Sequence, residues 1–312
     1  MKETDDKMFM RRCLQLAANG LLTTRPNPMV GAVIVARGRI IGEGWHVRCG
    51  EGHAEVNAFA SVAKADEWLL PESTIYVSLE PCAHYGKTPP CADLIVSKGV
   101  SHVVVGCVDP FARVQGRGIQ KIRDAGIAVT VGVLEEECLW LNRRFFTFHQ
   151  KQRPYITLKW AQTADGFLDD HGRAVAISTP FTKMLVHRLR AENDAILVGR
   201  VTEEREHPRL DVRHWSGPSP VKMVLSGSFG LDDVVSSCRE QQLLSLLVEG
   251  GRQTHQSFID AGLWDEIRIE TGNVTTGGGT PAPQVPANAI LRSREWLDGN
   301  IVEYWMKAKV NG

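Results

Sequence analysis

His53, Cys82 and Cys91 offer one imidazole nitrogen and two thiolates, and a carboxylate, Glu55, stands two positions after the histidine. Imidazole and thiolate are ready ligands for zinc, and a catalytic zinc keeps three protein ligands with an open fourth position, where it lowers the pKa of water to about 7. In zinc deaminases a glutamate that is not a ligand carries the protons, and the signature joins His-x-Glu to Pro-Cys-x-x-Cys. Here His53-Ala54-Glu55 is followed by Pro81-Cys82, but Cys91 lies nine positions beyond Cys82. A structural zinc would call for a fourth Cys or His, and a Cys82–Cys91 disulfide would suit a secreted chain. The chemistry indicated is hydrolytic deamination, with His53, Cys82 and Cys91 as metal ligands and Glu55 as the catalytic proton carrier.

The flanking sequence can deliver these side chains to one point. Residues 74–79, Thr-Ile-Tyr-Val-Ser-Leu, form a β-rich alternating run, and Glu80-Pro81-Cys82 leaves it as a loop. Residues 53–63 read as a helix with Val56, Phe59, Ala60 and Ala63 on one face, and a second helix opens at Cys91. Two helix starts thus aim ligands at one metal, where their dipoles favour anionic sulfur. Elsewhere in this half, helices are expected over 5–20, 118–125 and 135–149, with strands at 30–35, 102–106 and 129–131. That alternation implies a three-layer α/β/α domain.

The loop from Cys82 to Cys91, with Pro26-Asn27-Pro28-Met29-Val30-Gly31 and Gly42-Glu43-Gly44-Trp45-His46 upstream, closely resembles the bifunctional riboflavin-biosynthesis deaminase/reductase family. The resemblance implies a cytidine-deaminase-like N-terminal fold in which Asn27, His46, His84 and Lys87 contact the substrate. The residue types suit that role: Lys87 can meet a phosphate as a point charge, while Asn27 and the histidines can pair with a base edge.

A polar segment ending in Pro154 marks a boundary, giving expected domains at 1–149 and 154–312. Beyond it, Tyr155-Ile156-Thr157-Leu158-Lys159, Ile177-Ser178-Thr179-Pro180, Ala195 to Gly199, Val248-Glu249-Gly250-Gly251 and Gly277 to Pro281 resemble, in order, the reductase half of the same family. The resemblance implies a dihydrofolate-reductase-like α/β fold using NADPH. Lys159, Arg190, Leu210, Arg213 and Glu249 would face the substrate; Ala161, Thr202, Glu206, Gly251, Arg252, Gln253 and Thr254 would face the cofactor. A glycine-rich turn opening a helix over 253–261 would present backbone N–H groups to a pyrophosphate. Three departures stand out: Ala176 where the family usually has Trp, His207 in place of an acidic residue, and a connection on the order of 20 residues between the strands at 221–225 and 244–248 where the family has a further strand and helix. These departures predict weaker NADPH binding. The C-terminal tail reads as a loop over 281–286 and a closing strand over 301–310.

Composition fits a two-domain cytoplasmic enzyme. The 312 residues are 43% hydrophobic, carry 36 basic and 36 acidic side chains, and include an odd seven cysteines. Balanced charge argues against a nucleic-acid deaminase, since nucleic-acid binders show a basic stripe. The expected activity is deamination of 2,5-diamino-6-(phosphoribosylamino)pyrimidin-4-one, followed by NADPH-dependent reduction of its ribosyl chain to ribityl. The expected cofactors are Zn2+ and NADPH, and the expected partners are a small phosphoribosyl pyrimidine and further copies in a homo-oligomer, with no nucleic acid and no membrane. A non-catalytic C-terminal scaffold is the alternative for the second half.

Overall fold

The computed structural model describes residues 3–83, 89–109 and 116–308, and its backbone divides into two compact units, Met1–Gln150 and Lys151–Gly312. His84 and Lys87 lie outside the described residues. No described helix is long and apolar enough to cross a membrane.

The first unit runs α1 (Glu3–Ala18), β1 (Gly31–Ala36), β2 (Arg39–Trp45), α2 (Ala54–Ala60), a 3-10 segment (Lys64–Glu72), β3 (Thr74–Leu79), α3 (Cys91–Lys98), β4 (His102–Cys107), α4 (Arg117–Asp124), β5 (Ala128–Val131), α5 (Glu135–Leu141) and α6 (Arg143–Lys151). Its sheet has the order β2-β1-β3-β4-β5, antiparallel across β2, β1 and β3 and parallel from β3 to β5. Strand alternation supplies two cores. Ala32, Ile34, Ile75 and Val77 pack with Ala58, Ile95 and Ile122 on one face, whereas Val33, Val35 and Tyr76 pack with Phe9, Met10 and Cys138 on the other. The layer holding α2 lies so close to β2 that a Cβ on Gly44 would come 2.5 Å from the backbone nitrogen of Ala58.

Two helices depart from the sequence pattern. The expected 53–63 helix ends at Ala60, with Ser61 as its C-cap. The expected 135–149 helix breaks at Asn142, which closes α5 at φ −99°, ψ 18° before α6 begins.

The second unit runs β6 (Tyr155–Gln162), α7 (Pro180–Ala191), β7 (Ala195–Gly199), α8 (Arg200–Glu206), β8 (Val221–Leu225), α9 (Leu231–Glu240), β9 (Ser245–Val248), α10 (Arg252–Asp260), β10 (Glu266–Thr271), β11 (Ala289–Leu297) and β12 (Asn300–Lys307). Its sheet has the order β11-β12-β10-β6-β9-β7-β8, parallel from β10 through β8, with β12 and β11 added antiparallel. Only α9 joins β8 to β9 among the described elements, so the sheet ends at β8 and the short connection is built into a continuous fold. Ile156, Leu158 and Trp160 point into a core with Val248, Phe258, Trp264 and Ile267. Thr157, Lys159 and Ala161 are the alternate residues of β6 and face the opposite side.

Candidate active sites

His53 is the N-cap of α2 and Cys91 the first residue of α3, so both sit where helix backbone N–H groups converge. Cys82 reaches them from the loop after β3. His53 Nδ1 lies 3.6 Å from Cys82 Sγ and 3.3 Å from Cys91 Sγ, and the Cys91 backbone N–H donates to Cys82 Sγ at 3.3 Å. The three donor atoms lie within 4.8 Å of one another, the one such group of His, Cys, Asp or Glu among the described residues. Ligand–ligand separations of about 3.5 Å are what a tetrahedral zinc with its usual bond lengths requires, so the donor set fits that metal.

The electrostatics match. Hydrogen bonds from Cys91 and then His53 draw the Cys82 thiol down to about 4 against the effect of burial. The Cys91 thiol is pushed up, first by Cys82 and then by burial. The hydrogen bond with Cys82 holds the His53 imidazole above its ordinary value. Glu55 is 3% exposed, and burial raises its carboxyl to about 7. A group balanced near neutrality can both take and return a proton.

Asn27 and His46 form one assembly. Asn27 Nδ2 lies 3.2 Å from His46 Nε2, and His46 Nδ1 lies 3.1 Å from the Gly52 carbonyl. The Nδ1–H tautomer satisfies both bonds: the ring donates to Gly52 and accepts from the amide, leaving Asn27 Oδ1 to act as an acceptor. Burial lowers the His46 pKa and keeps the ring neutral in this role. The His46 and His53 rings meet edge to face, 5.5 Å apart.

Two supporting residues escape a sequence reading. Asn57 Nδ2 donates to the carbonyls of Trp45 at 2.7 Å and Gly52 at 3.2 Å, fixing the approach to His53. Glu80, next but one before Cys82, is buried and accepts from the backbone N–H groups of Asp109, Gly116 and Gly118 at 3.2, 3.0 and 2.9 Å. The "Glu-Pro-Cys" string signals a loop exit; nothing in it reveals partners some 30 residues away, as the sequence separations of these bonds show.

In the second unit, Lys159, Arg190 and Arg213 line a cleft of about 400 Å3, together with Ser178, Lys183, Val186, His187 and His214. Arg190 grips Glu249 through two parallel bonds of 2.9 Å, with both side chains nearly buried. Burial lowers the Lys159 pKa, and the Glu249 carboxylate opposes that shift. Leu210 is brought near this group in sequence, but its side chain is 5% exposed and packs with Ile196, Val198 and Leu247 in a small core, away from the cleft lining.

Of the expected cofactor residues, Thr202 and Gly251 come together: a Cβ on Gly251 would lie 4.0 Å from Thr202 Oγ1 and, chain neighbours aside, meet no other described residue within that distance. Gly251 caps α10, and Arg252 and Gln253 are exposed on its first turn. Thr254 differs, because its side chain is buried against Gly199 and Gly250. Ala161 is half-buried near the end of β6, and Glu206 ends α8 exposed to solvent.

Residues 3–107 match the family model described as the cytidine and deoxycytidylate deaminase zinc-binding region, and residues 154–233 and 228–296 match the RibD C-terminal domain. The riboflavin biosynthesis protein RibD of Aquifex aeolicus (strain VF5) is 36% identical, over 85% of this chain and 86% of that protein. The chain belongs to the RibD family. The RibD of Bacillus amyloliquefaciens is 32% identical, over 90% of this chain and 87% of its own length. A crystal structure of a diaminohydroxyphosphoribosylaminopyrimidine deaminase/5-amino-6-(5-phosphoribosylamino)uracil reductase from Thermotoga maritima superposes with a TM-score of 0.90 at 33% identity, covering 98% of this chain and 99% of that one. Acinetobacter baumannii RibD, in one crystal form, gives a TM-score of 0.87 at 28% identity, covering 99% and 100%.

Proposed function

We propose that this RibD-family enzyme converts 2,5-diamino-6-(phosphoribosylamino)pyrimidin-4-one hydrolytically to the aminouracil, then reduces the ribosyl chain to ribityl with NADPH. The first reaction belongs to residues 1–149 and the second to 154–312. The observation that carries the reading is the buried carboxylate of Glu55 beside the three-donor group of His53, Cys82 and Cys91.

His53, Cys82 and Cys91 would hold zinc, which when bound supplies Lewis acidity enough to bring the pKa of water to about 7. Glu55 takes the proton released as water adds to the amine-bearing carbon and returns it to the departing nitrogen, so that ammonia leaves and a carbonyl remains. Asn27 presents Oδ1 to a base-edge donor, and His46 keeps the amide in that orientation. His84 and Lys87 complete this reading as substrate contacts, Lys87 toward the phosphate.

When bound, NADPH would supply hydride for the second reaction, in which C1′ of the sugar gains the hydride, its bond to the ring oxygen breaks, and that oxygen takes up a proton as a hydroxyl. Lys159 and Arg213 bring positive charge to the cleft, and Glu249 fixes the Arg190 guanidinium through its paired bonds. The Thr202–Gly251 surface and the exposed first turn of α10 are assigned to the cofactor, with Ala161 and Glu206 at its margins.

The same reading places the enzyme in the cytoplasm as a homo-oligomer. Seven cysteines without disulfides suit a reducing compartment. The edge strand β11 exposes Ile290 and Trp296, which supports association through that edge. A two-stage assay tests the whole proposal: ammonia release from the diaminopyrimidinone, then NADPH oxidation on the product. Ammonia release without NADPH oxidation would reduce the second unit to a scaffold.

A further inference from the structure

Ser178 lines the cleft of the second unit, one residue before the Thr179 N-cap of α7. Its hydroxyl donates to Glu270 Oε2 at 3.0 Å. Glu270 is fully buried on β10, and its other oxygen accepts from Asn300 Nδ2 at 2.7 Å. Asn300 also donates to the carbonyl of Ile177 at 3.0 Å, so the backbone entering α7 is tied to the same carboxylate. Arg268, equally buried on β10, brings Nη1 to 3.8 Å from Glu270 Oε2 and opposes its charge.

A serine hydroxyl has one proton and two lone pairs. The Ser178 proton is committed to a carboxylate, a charge-assisted bond that outcompetes a neutral partner. What remains for the cleft is acceptor capacity. The other polar residues around that cleft are Lys159, Lys183, Arg190 and Arg213, which can only donate, and two histidines. His187 Nδ1 already accepts from the backbone N–H of Arg213 at 3.1 Å. A phosphorylated sugar brings both anionic oxygens, which the cations suit, and hydroxyl protons, which need acceptors.

We propose that Ser178 is a specificity-determining residue that accepts a hydrogen bond from a hydroxyl of the substrate's sugar chain, and that Glu270 is the positioning residue that holds it in the acceptor orientation. This rests on the reductase reading above. Substrates lacking that hydroxyl lose the contact, so the pair selects ribosyl over deoxyribosyl compounds. A purely mechanical role, in which the bond merely tethers α7 to the sheet, would affect stability and leave sugar selectivity alone.

The test uses the full chain and follows NADPH oxidation with the phosphoribosylaminouracil and its deoxyribosyl analogues, alongside thermal unfolding. Ser178→Ala is expected to lower kcat/KM for the ribosyl substrate roughly 10-fold, mainly through KM, the effect of one lost hydrogen bond with a donor left unmatched. One deoxyribosyl analogue should be turned over equally by Ser178→Ala and wild type, because the contact is already gone. Ser178→Thr, which keeps the hydroxyl, should restore selectivity. Glu270→Gln, whose amide can donate to Ser178 and release its proton toward the cleft, should lower selectivity in the same direction. An active wild type whose ribosyl preference survives Ser178→Ala overturns the proposal, as does equal impairment on every analogue with a lowered Tm. A wild type that oxidises no NADPH with any of these substrates overturns the reductase reading, and the proposal with it.

Discussion

Asn142 closes a two-point clamp on the backbone of Met29: its Oδ1 accepts from the Met29 N–H at 2.8 Å and its Nδ2 donates to the Met29 carbonyl at 2.8 Å. The residue that interrupts α5 and α6 therefore anchors the Pro26-Asn27-Pro28 loop, which carries a proposed substrate contact. Asn142 is 2% exposed, so loss of its amide leaves a buried peptide group without partners.

Asn142→Ala should accordingly destabilise the protein by about 1–3 kcal/mol, the cost of stranding buried polar groups. It should also raise the deaminase KM more than it lowers kcat, because Asn27 loses its mooring while Glu55 and the proposed metal ligands are untouched. Denaturant unfolding and ammonia-release kinetics check the two halves separately. Wild-type KM in a destabilised variant would show that the clamp serves folding alone.

His255 gives the second unit an acid-sensitive point. It is fully buried, neither ring nitrogen has a hydrogen-bond partner among the described residues, and burial, reinforced by Lys159, lowers its pKa to about 3. The unfolded chain protonates near 6.5, so between these values the unfolded state binds a proton that the folded state refuses. Stability then falls as pH drops from about 6.5 toward 3, with a contribution of up to about 1.4 kcal/mol per pH unit. His255→Leu should reduce the slope of urea stability against pH in that window. An unchanged slope would assign the acid sensitivity to other groups.

Gly250 and Gly251 should separate packing from binding. A Cβ on Gly250 would lie 2.7 Å from Thr254 Cβ, whereas one on Gly251 meets, among the described residues beyond its chain neighbours, only Thr202 Oγ1, at 4.0 Å. Gly250→Ala should lower Tm. Gly251→Val should leave Tm close to wild type while weakening NADPH binding roughly 10- to 100-fold, the range for hydrogen bonds to a charged group. Calorimetry showing unaltered NADPH affinity in Gly251→Val would move the pyrophosphate away from this turn.

Much of the candidate metal site's geometry was legible because its information is local: His53 and Cys91 lie at helix starts, Cys82 follows a strand end, and their residue types suit a metal. The supports were not, since Glu80 and Asn142 act on backbone groups far along the chain, with no trace in composition or period. Strand β11 was missed for a different reason. Most of its residues are exposed, so it lacks the alternation that marks a strand with one buried face. The expected 135–149 helix has continuous helical propensity, and the tertiary bonds of Asn142 override it. In β10, Glu266, Arg268 and Glu270 alternate with Ile267 and Ile269, a pattern suggesting one wet face, yet all three charged residues are buried: Glu266 accepts from Tyr155 Oη, Arg268 Nε donates to Tyr304 Oη, and Glu270 lies near Arg268 and accepts from Ser178 and Asn300. Pattern reports hydrophobicity, and it is blind to charges that the fold itself neutralises.

In the proposed deaminase, Glu55 moves protons at a zinc held by His53, Cys82 and Cys91. The most direct test of that role is zinc content measured beside ammonia release in Glu55→Gln and Cys82→Ala. Glu55→Gln should retain wild-type zinc and lose on the order of 100-fold or more in deamination rate, the range for a missing general acid–base, whereas Cys82→Ala should lose the metal. Loss of zinc in Glu55→Gln, or a wild-type rate in that variant with its zinc in place, would contradict that role.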